Sequence, residues 1–166
     1  MKNLFTVLAL TISFSMNAQI STNTTTNTGT HASAIGDTTK ASGNTSTAMG
    51  RNTTASGDVS TTMGESTEAI GYSSLAIGQY NVINNGDSTN VYAATNTAFS
   101  IGNGTSNASR SNALSVLFNG NVTAGSVIAT SLEVERPDSG LILKSPDGTR
   151  YRITMANGGS LVITAV

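Results

Sequence analysis

The side chains that most often carry out chemistry are nearly missing from this chain. His31 is its single histidine and it has no cysteine, so a histidine-based triad, a thiol nucleophile and a histidine- or thiolate-ligated metal all lack a second partner. His31 reads as a surface residue at the edge of a repeat. Asp37, Asp58, Glu65 and Glu68 fall at variable positions of that repeat and read as solvated carboxylates. Gly102-Asn-Gly104 and Gly158-Gly159 lack the following helix that a phosphate-cradling loop needs. Arg150 and Arg152 flank Tyr151, but Asp138 and Asp147 are close in sequence and the formal net charge is -1, so no basic stripe points to nucleic acid. The Asn-x-Ser/Thr matches at Asn23, Asn44, Asn52, Asn103, Asn107 and Asn121 follow from a Thr- and Asn-rich composition. The expectation is a chain that is not an enzyme, with no catalytic, cofactor-binding or metal-ligating residues and no cofactor.

What the sequence does contain is repetition. Gly36, Gly43, Gly50, Gly57, Gly64, Gly71 and Gly78 fall seven residues apart without a slip. A coiled coil has the same period, but a glycine in every heptad costs about 1 kcal/mol relative to Ala in a helix, and no large apolar seam exists. Extended segments fit better. The third residue after each glycine is Thr39, Ser46, Thr53, Ser60, Thr67 or Ser74, and the fifth is Ala41, Ala48, Ala55, Thr62, Ala69 or Ala76. These positions share one face of a strand, so one face is uniformly small. The sixth position runs Ser42, Met49, Ser56, Met63, Ile70, Ile77, which makes the structural period fourteen: two short strands and two turns, each glycine supplying a turn conformation. Coils would stack at about 4.8 Å. Large apolar side chains are few, so a single roll is marginal and copies packed side by side are expected. Lys40, Thr47, Thr54, Thr61 and Glu68, at the variable fourth position, are expected to form an outward, partner-facing stripe.

Ala32-Ser-Ala-Ile-Gly36, Ser46-Thr-Ala-Met-Gly50 and Ser74-Leu-Ala-Ile-Gly78 resemble the S-x-A-I-G repeats of YadA-like heads in trimeric autotransporter adhesins. The resemblance covers residues 31–86 and implies a homotrimer of left-handed parallel β-rolls that binds host surfaces, matrix or glycans. Thr62 departs from the pattern where Ala is expected, and Gln79-Tyr-Asn-Val-Ile-Asn-Asn85 breaks the register; the break reads as the lower cap of the roll. Membrane strands of about 9 to 11 residues with aromatic girdles and a self-cleaving chaperone motif are not seen, so neither an anchor nor autoproteolysis is carried over.

The remaining segments complete an all-β reading: a parallel β-roll solenoid, then short β-strands, then a small C-terminal β-meander, in a trimer. Lys2, the apolar-rich run Leu4 to Met16 and Met16-Asn17-Ala18 make residues 1–18 a signal peptide, cleaved after Ala18. The apolar run is shorter than the ~20 residues a spanning helix needs, so no membrane-spanning segment is expected in the exported, extracellular or surface-located product. Residues 19–30 read as a flexible Thr/Asn-rich leader. In 87–136, a connector or neck, Ala98–Gly104 and Ser111–Asn121 join alternating apolar runs to Gly or Asn-Gly turns. In 137–166, Leu141–Leu143, Tyr151–Thr154 and Leu161–Thr164 alternate with Ser145-Pro-Asp-Gly148 and Asn157-Gly-Gly159, a meander too small to stand alone. It resembles trimeric end-pieces of phage tail fibres and related surface fibres, which implies a cap or registration device; the alternative is a sheet folded against its own chain. The functional expectation is an adhesive or structural module. A phage-type tail-fibre fragment is the alternative, and an ice-binding solenoid, suggested by Thr47, Thr54 and Thr61, is the third.

Overall fold

A computed structural model describes residues 22–129 and 140–166. Among them there is no helix, and the chain divides into two compact units, Met1–Ser126 and Val127–Val166. The expected signal peptide and its cleavage site after Ala18 lie outside the described residues, as does the expected boundary at 136/137.

The first unit is a parallel β-solenoid of about four turns. One sheet takes β1 (Thr22–Asn23), β3 (Ser33–Asp37), β5 (Thr47–Arg51), β7 (Thr61–Glu65) and β9 (Leu75–Gln79); the other takes β2 (Thr26–Asn27), β4 (Lys40–Ala41), β6 (Thr54–Ala55) and β8 (Glu68–Ala69). From β1 to β9 every parallel partner lies 14 residues away, as in Ser33 with Thr47, Thr47 with Thr61 and Lys40 with Thr54. The period of fourteen inferred from the sixth position is thus the length of one coil.

The interior is built from the positions expected to share a small face. Ala34, Ala41, Ala48, Ala55, Ala69 and Ala76 are buried, and so are Thr39, Ser46, Thr53, Ser60, Thr67 and Ser74. A roll this thin has no room for larger side chains. Ser46 and Ser74 each donate to a carbonyl three residues back, Gly43 and Gly71. The buried hydroxyls of Thr39, Thr53, Ser60, Thr62 and Thr67 have no protein partner. Thr62 occupies the Ala34–Ala48–Ala76 column, placing a hydroxyl where its neighbours carry only methyl groups.

Gly36, Gly50, Gly64 and Gly78 take positive φ, a conformation that side chains resist, as expected of them, and the glycines have a second role besides. A Cβ on Gly29, Gly36, Gly43, Gly50, Gly57 or Gly64 would run into the carbonyl oxygen of the glycine one coil on, so the column excludes any side chain. Gly50 also has φ 120°, whereas Gly43, Gly57 and Gly71 have no positive φ. The left-handed corners fall two residues after each glycine, at Thr38, Thr45, Asn52, Val59, Ser66, Ser73 and Tyr80, with φ between 43° and 61°. Such a conformation is uncommon for these residue types. From Thr45 on it is held because the corner N–H reaches a carbonyl of the coil above: Thr45 to Thr30, Asn52 to Asp37, Val59 to Asn44, Ser66 to Arg51, Ser73 to Asp58 and Tyr80 to Glu65, at 2.7 to 3.0 Å.

Two expectations about the ends are corrected. Residues 22–30 are not a flexible leader: β1 pairs with Gly36-Asp37, β2 pairs with Lys40-Ala41, and Gly29 belongs to the glycine column. Polar side chains did not prevent order, because in this roll the outward positions of a coil tolerate them. Nor does the register break at 79–85 end the stack. β10 (Thr97–Asn103) pairs in parallel with β9, Leu75 meeting Phe99, so this coil spans 24 residues. β11 (Asn112–Leu117) and β12 (Val122–Ala124) then add antiparallel strands to the same sheet. The break does close the smaller sheet. Asn81, buried, accepts from the Glu68 N–H through Oδ1 at 2.8 Å and donates to the Glu68 carbonyl through Nδ2 at 2.9 Å, imitating the peptide of a missing strand at an edge that would otherwise stay unpaired. Arg110 ties this loop down, donating to the Ser66 and Asn81 carbonyls at 2.9 and 3.1 Å.

The second unit holds an antiparallel meander of β13 (Leu141–Lys144), β14 (Arg150–Met155) and β15 (Leu161–Ala165). These are the three runs read from the sequence.

Two substitutions test this packing. Gly50→Ala is expected to destabilise the roll by about 3 kcal/mol or more, since it forces both a clash and a side chain at positive φ. Thr62→Val, which keeps volume and removes the unpartnered hydroxyl, is expected to stabilise by about 1 to 2 kcal/mol. Urea unfolding followed by far-UV circular dichroism reads both.

Candidate interaction site

Because the interior accepts only small residues, the larger apolar side chains point outward, and the two sheets sort them. On the larger sheet Ile35, Met49, Met63, Ile77, Ile101 and Leu114 stand in one register column across six strands. Met63 is 44% exposed. Beside it runs a second outward column, Ser33–Thr47–Thr61–Leu75–Phe99–Val116–Val122, which becomes apolar toward the lower end. The smaller sheet presents Thr26, Lys40, Thr54 and Glu68 in its outward column, with Ser42, Ser56 and Ile70 at the following same-face positions. One flank of the solenoid is therefore apolar and the other polar.

This sorting divides the expected stripe. Lys40, Thr54 and Glu68 lie on the smaller sheet, while Thr47 and Thr61 lie on the larger one, in register with Ser33 and Leu75. Residues seven apart alternate between sheets because a coil takes fourteen. The Thr47–Thr54–Thr61 column that suggested ice binding is not a column in the fold.

A shallow polar groove follows one corner, lined by Asp37, Thr38, Arg51, Asn52, Glu65, Ser66 and Tyr80. Arg51 forms an ion pair with Glu65, and the Tyr80 hydroxyl donates to Glu65 at 3.4 Å. The opposite corner carries a ladder in which the Thr30 N–H donates to Asn44 Oδ1 at 3.1 Å and the Asn44 N–H to Asp58 Oδ1 at 2.7 Å. The Asp37, Asp58 and Glu65 carboxylates thus serve the corners of the coil. His31 is exposed at a left-handed corner. Among the described residues no three His, Cys, Asp or Glu side chains gather as a metal would require, and no helix is long and apolar enough to cross a membrane.

The C-terminal meander is two-sided. Register places Leu141, Leu143, Tyr151, Ile153, Met155, Leu161, Ile163 and Ala165 on one face, and Ile142, Lys144, Arg150, Arg152, Thr154, Val162 and Thr164 on the other. Most of the apolar face is open, with Leu143 at 49%, Met155 and Leu161 at 61% and Ile163 at 60% exposed. At the β13–β14 turn, Asp147 accepts from the Ser145 hydroxyl and, at 2.9 Å, from the Thr149 N–H. These bonds, the Ser145 hydroxyl first, hold its carboxyl below the ordinary carboxylate range.

The family model of the YadA head domain repeat matches this chain in two copies, at residues 28–53 and 41–64. The matched span is the glycine-stacked part of the solenoid and includes the segment around Gly29. No curated protein and no solved structure matches the chain.

The Asp147 bonds give a pH expectation. A carboxyl depressed in the folded state adds stability above its unfolded value and loses it as pH falls through the folded value, so the β13–β14 turn should loosen only below about pH 4. Acid titration followed by Tyr151 fluorescence should show this transition, and Asp147→Asn should remove it.

Proposed function

We propose that this chain is an exported, surface-located, non-enzymatic fibrous module that assembles as a homotrimer and serves adhesion or surface structure. The observation that carries the reading is the continuous outward apolar column Ile35–Met49–Met63–Ile77–Ile101 on one sheet of a roll whose interior is almost wholly alanine and small hydroxyl residues. Two parallel neighbours would cover that column at constant register, since every coil repeats the same geometry. The family match at 28–64 supports the same assembly, because YadA heads are parts of trimeric adhesins.

The apolar face of the C-terminal meander has the same occupant in this reading. Three strands of this length do not persist alone without a covered face, and chains joined at their rolls hold their meanders at high effective concentration. The polar flank with Lys40, Thr54 and Glu68 is left for a host-surface, matrix or glycan ligand, and an export signal at residues 1–18 delivers the chain to where such ligands are met.

Sedimentation of the processed chain tests the assembly. The expected species has three times the protomer mass, and replacing Met49 and Met63 together by Glu should abolish it, because charges at a desolvated contact go unpaired. A wild-type chain that sediments as a monomer at micromolar concentration while unfolding cooperatively would end the proposal.

A further inference from the structure

We infer that Asn85 and Asn157 are sites of self-modification, at which the side-chain carboxamide cyclises onto the next residue and ends as aspartate or isoaspartate. The chain has four Asn-Gly pairs, at Asn85, Asn103, Asn119 and Asn157. With no Cβ beside it, the glycine nitrogen is open to approach, so by sequence the four pairs are equal. Hydrogen bonding divides them.

The attacking group is the glycine N–H, which must give up its proton, and an N–H held by a carbonyl keeps that proton and is turned from the side chain. Gly104 donates to the Gln79 carbonyl at 3.1 Å, and Asn103 Oδ1 accepts from the Ser111 hydroxyl at 2.6 Å. Gly120 donates to the Leu117 carbonyl at 2.9 Å, and Asn119 Oδ1 accepts from the Asn121 N–H at 3.0 Å. Both reacting groups are engaged in each of these pairs. In the other two pairs the turn is closed one residue later, by the Asp87 N–H to Asn84 and the Gly159 N–H to Ala156, each at 3.0 Å. Asparagine and glycine are then the two central residues, and the bond that closes a turn does not use the N–H of its third residue. No hydrogen bond among the described residues engages the Gly86 or Gly158 N–H or the Asn85 or Asn157 carboxamide. All four residues are exposed, and nothing stands within 4 Å of where a Cβ on Gly158 would be.

In the reaction the glycine nitrogen forms a bond to the asparagine Cγ as the bond from Cγ to the carboxamide nitrogen breaks. That nitrogen leaves as ammonia with the proton the glycine gave up. Water then opens the cyclic imide at either carbonyl, giving aspartate or, with Cβ drawn into the main chain, isoaspartate. At Asn157 the second product lengthens the turn between β14 and β15 and places a carboxylate there, so the surface of the meander changes as the protein ages.

Incubation of the processed full-length chain in mildly alkaline buffer, followed by peptide mapping with fragmentation to single residues, tests this. Asn85 and Asn157 should convert about tenfold or more faster than Asn103 and Asn119, since each protected pair must first break its bonds. In guanidinium all four should convert at similar rates. Gly86→Ala is the informative variant, because Gly86 has no positive φ and an added Cβ would meet only Asn84 Oδ1, at 3.9 Å. It should slow Asn85 about tenfold by crowding the nitrogen and leave Asn157 unchanged. Equal rates at all four sites in the folded chain, faster conversion at Asn103 or Asn119, or an Asn85 rate indifferent to Gly86→Ala would each overturn the inference.

Discussion

The close approach of glycine to glycine, one coil above the next, is the contact on which the solenoid depends. Each glycine from Gly29 to Gly64 sits so near the carbonyl of its counterpart fourteen residues on that no side chain fits between them. That proximity sets the spacing at the corners and lets the neighbouring corner N–H reach upward. Thr45, Asn52, Ser66 and their counterparts accept left-handed backbone because a vertical hydrogen bond is available there, and an unpaired N–H would cost more.

A second consequence is the distribution of size. Corners this tight bring the two sheets close, so the space between them holds Ala, Ser and Thr and little else. Ile35, Met49, Met63 and Ile77 are placed outside on the larger sheet, while the smaller sheet carries Lys40, Thr54 and Glu68 outward. The protein thus has its principal apolar surface on a flank instead of in a core. For most folded chains the arrangement is the reverse.

The ends are handled by side chains that imitate backbone. Asn81 offers its amide to both polar groups of Glu68, and Asn96 does the same for Ser88, accepting from its N–H at 2.9 Å and donating to its carbonyl at 2.8 Å. Both asparagines are buried and satisfied. They allow the smaller sheet to stop at β8 while the larger one continues through the 24-residue coil into β10.

Much of the architecture was legible in the residues. The glycine spacing, the small third and fifth positions and the alternating sixth position specify a coil of fourteen, since a strand's two faces and a recurring close approach leave direct marks on residue size. The three C-terminal strands were equally plain from their turn sequences. Other features have no such mark. Any of several residue types can occupy a left-handed corner once a hydrogen bond supports it, so the positive φ of Gly36, Gly50, Gly64 and Gly78 was legible while that of the corners two residues later was not. Polar residues 22–30 look like a leader because an outward strand position tolerates any side chain. The stripe of residues seven apart fell on two sheets, and Lys144 came to face Arg150, because pairing joins positions that chain order keeps apart. The sequence alone determined how large each residue on a coil may be; only the tertiary structure decided which residues share a surface, since that depends on register between strands and not on distance along the chain.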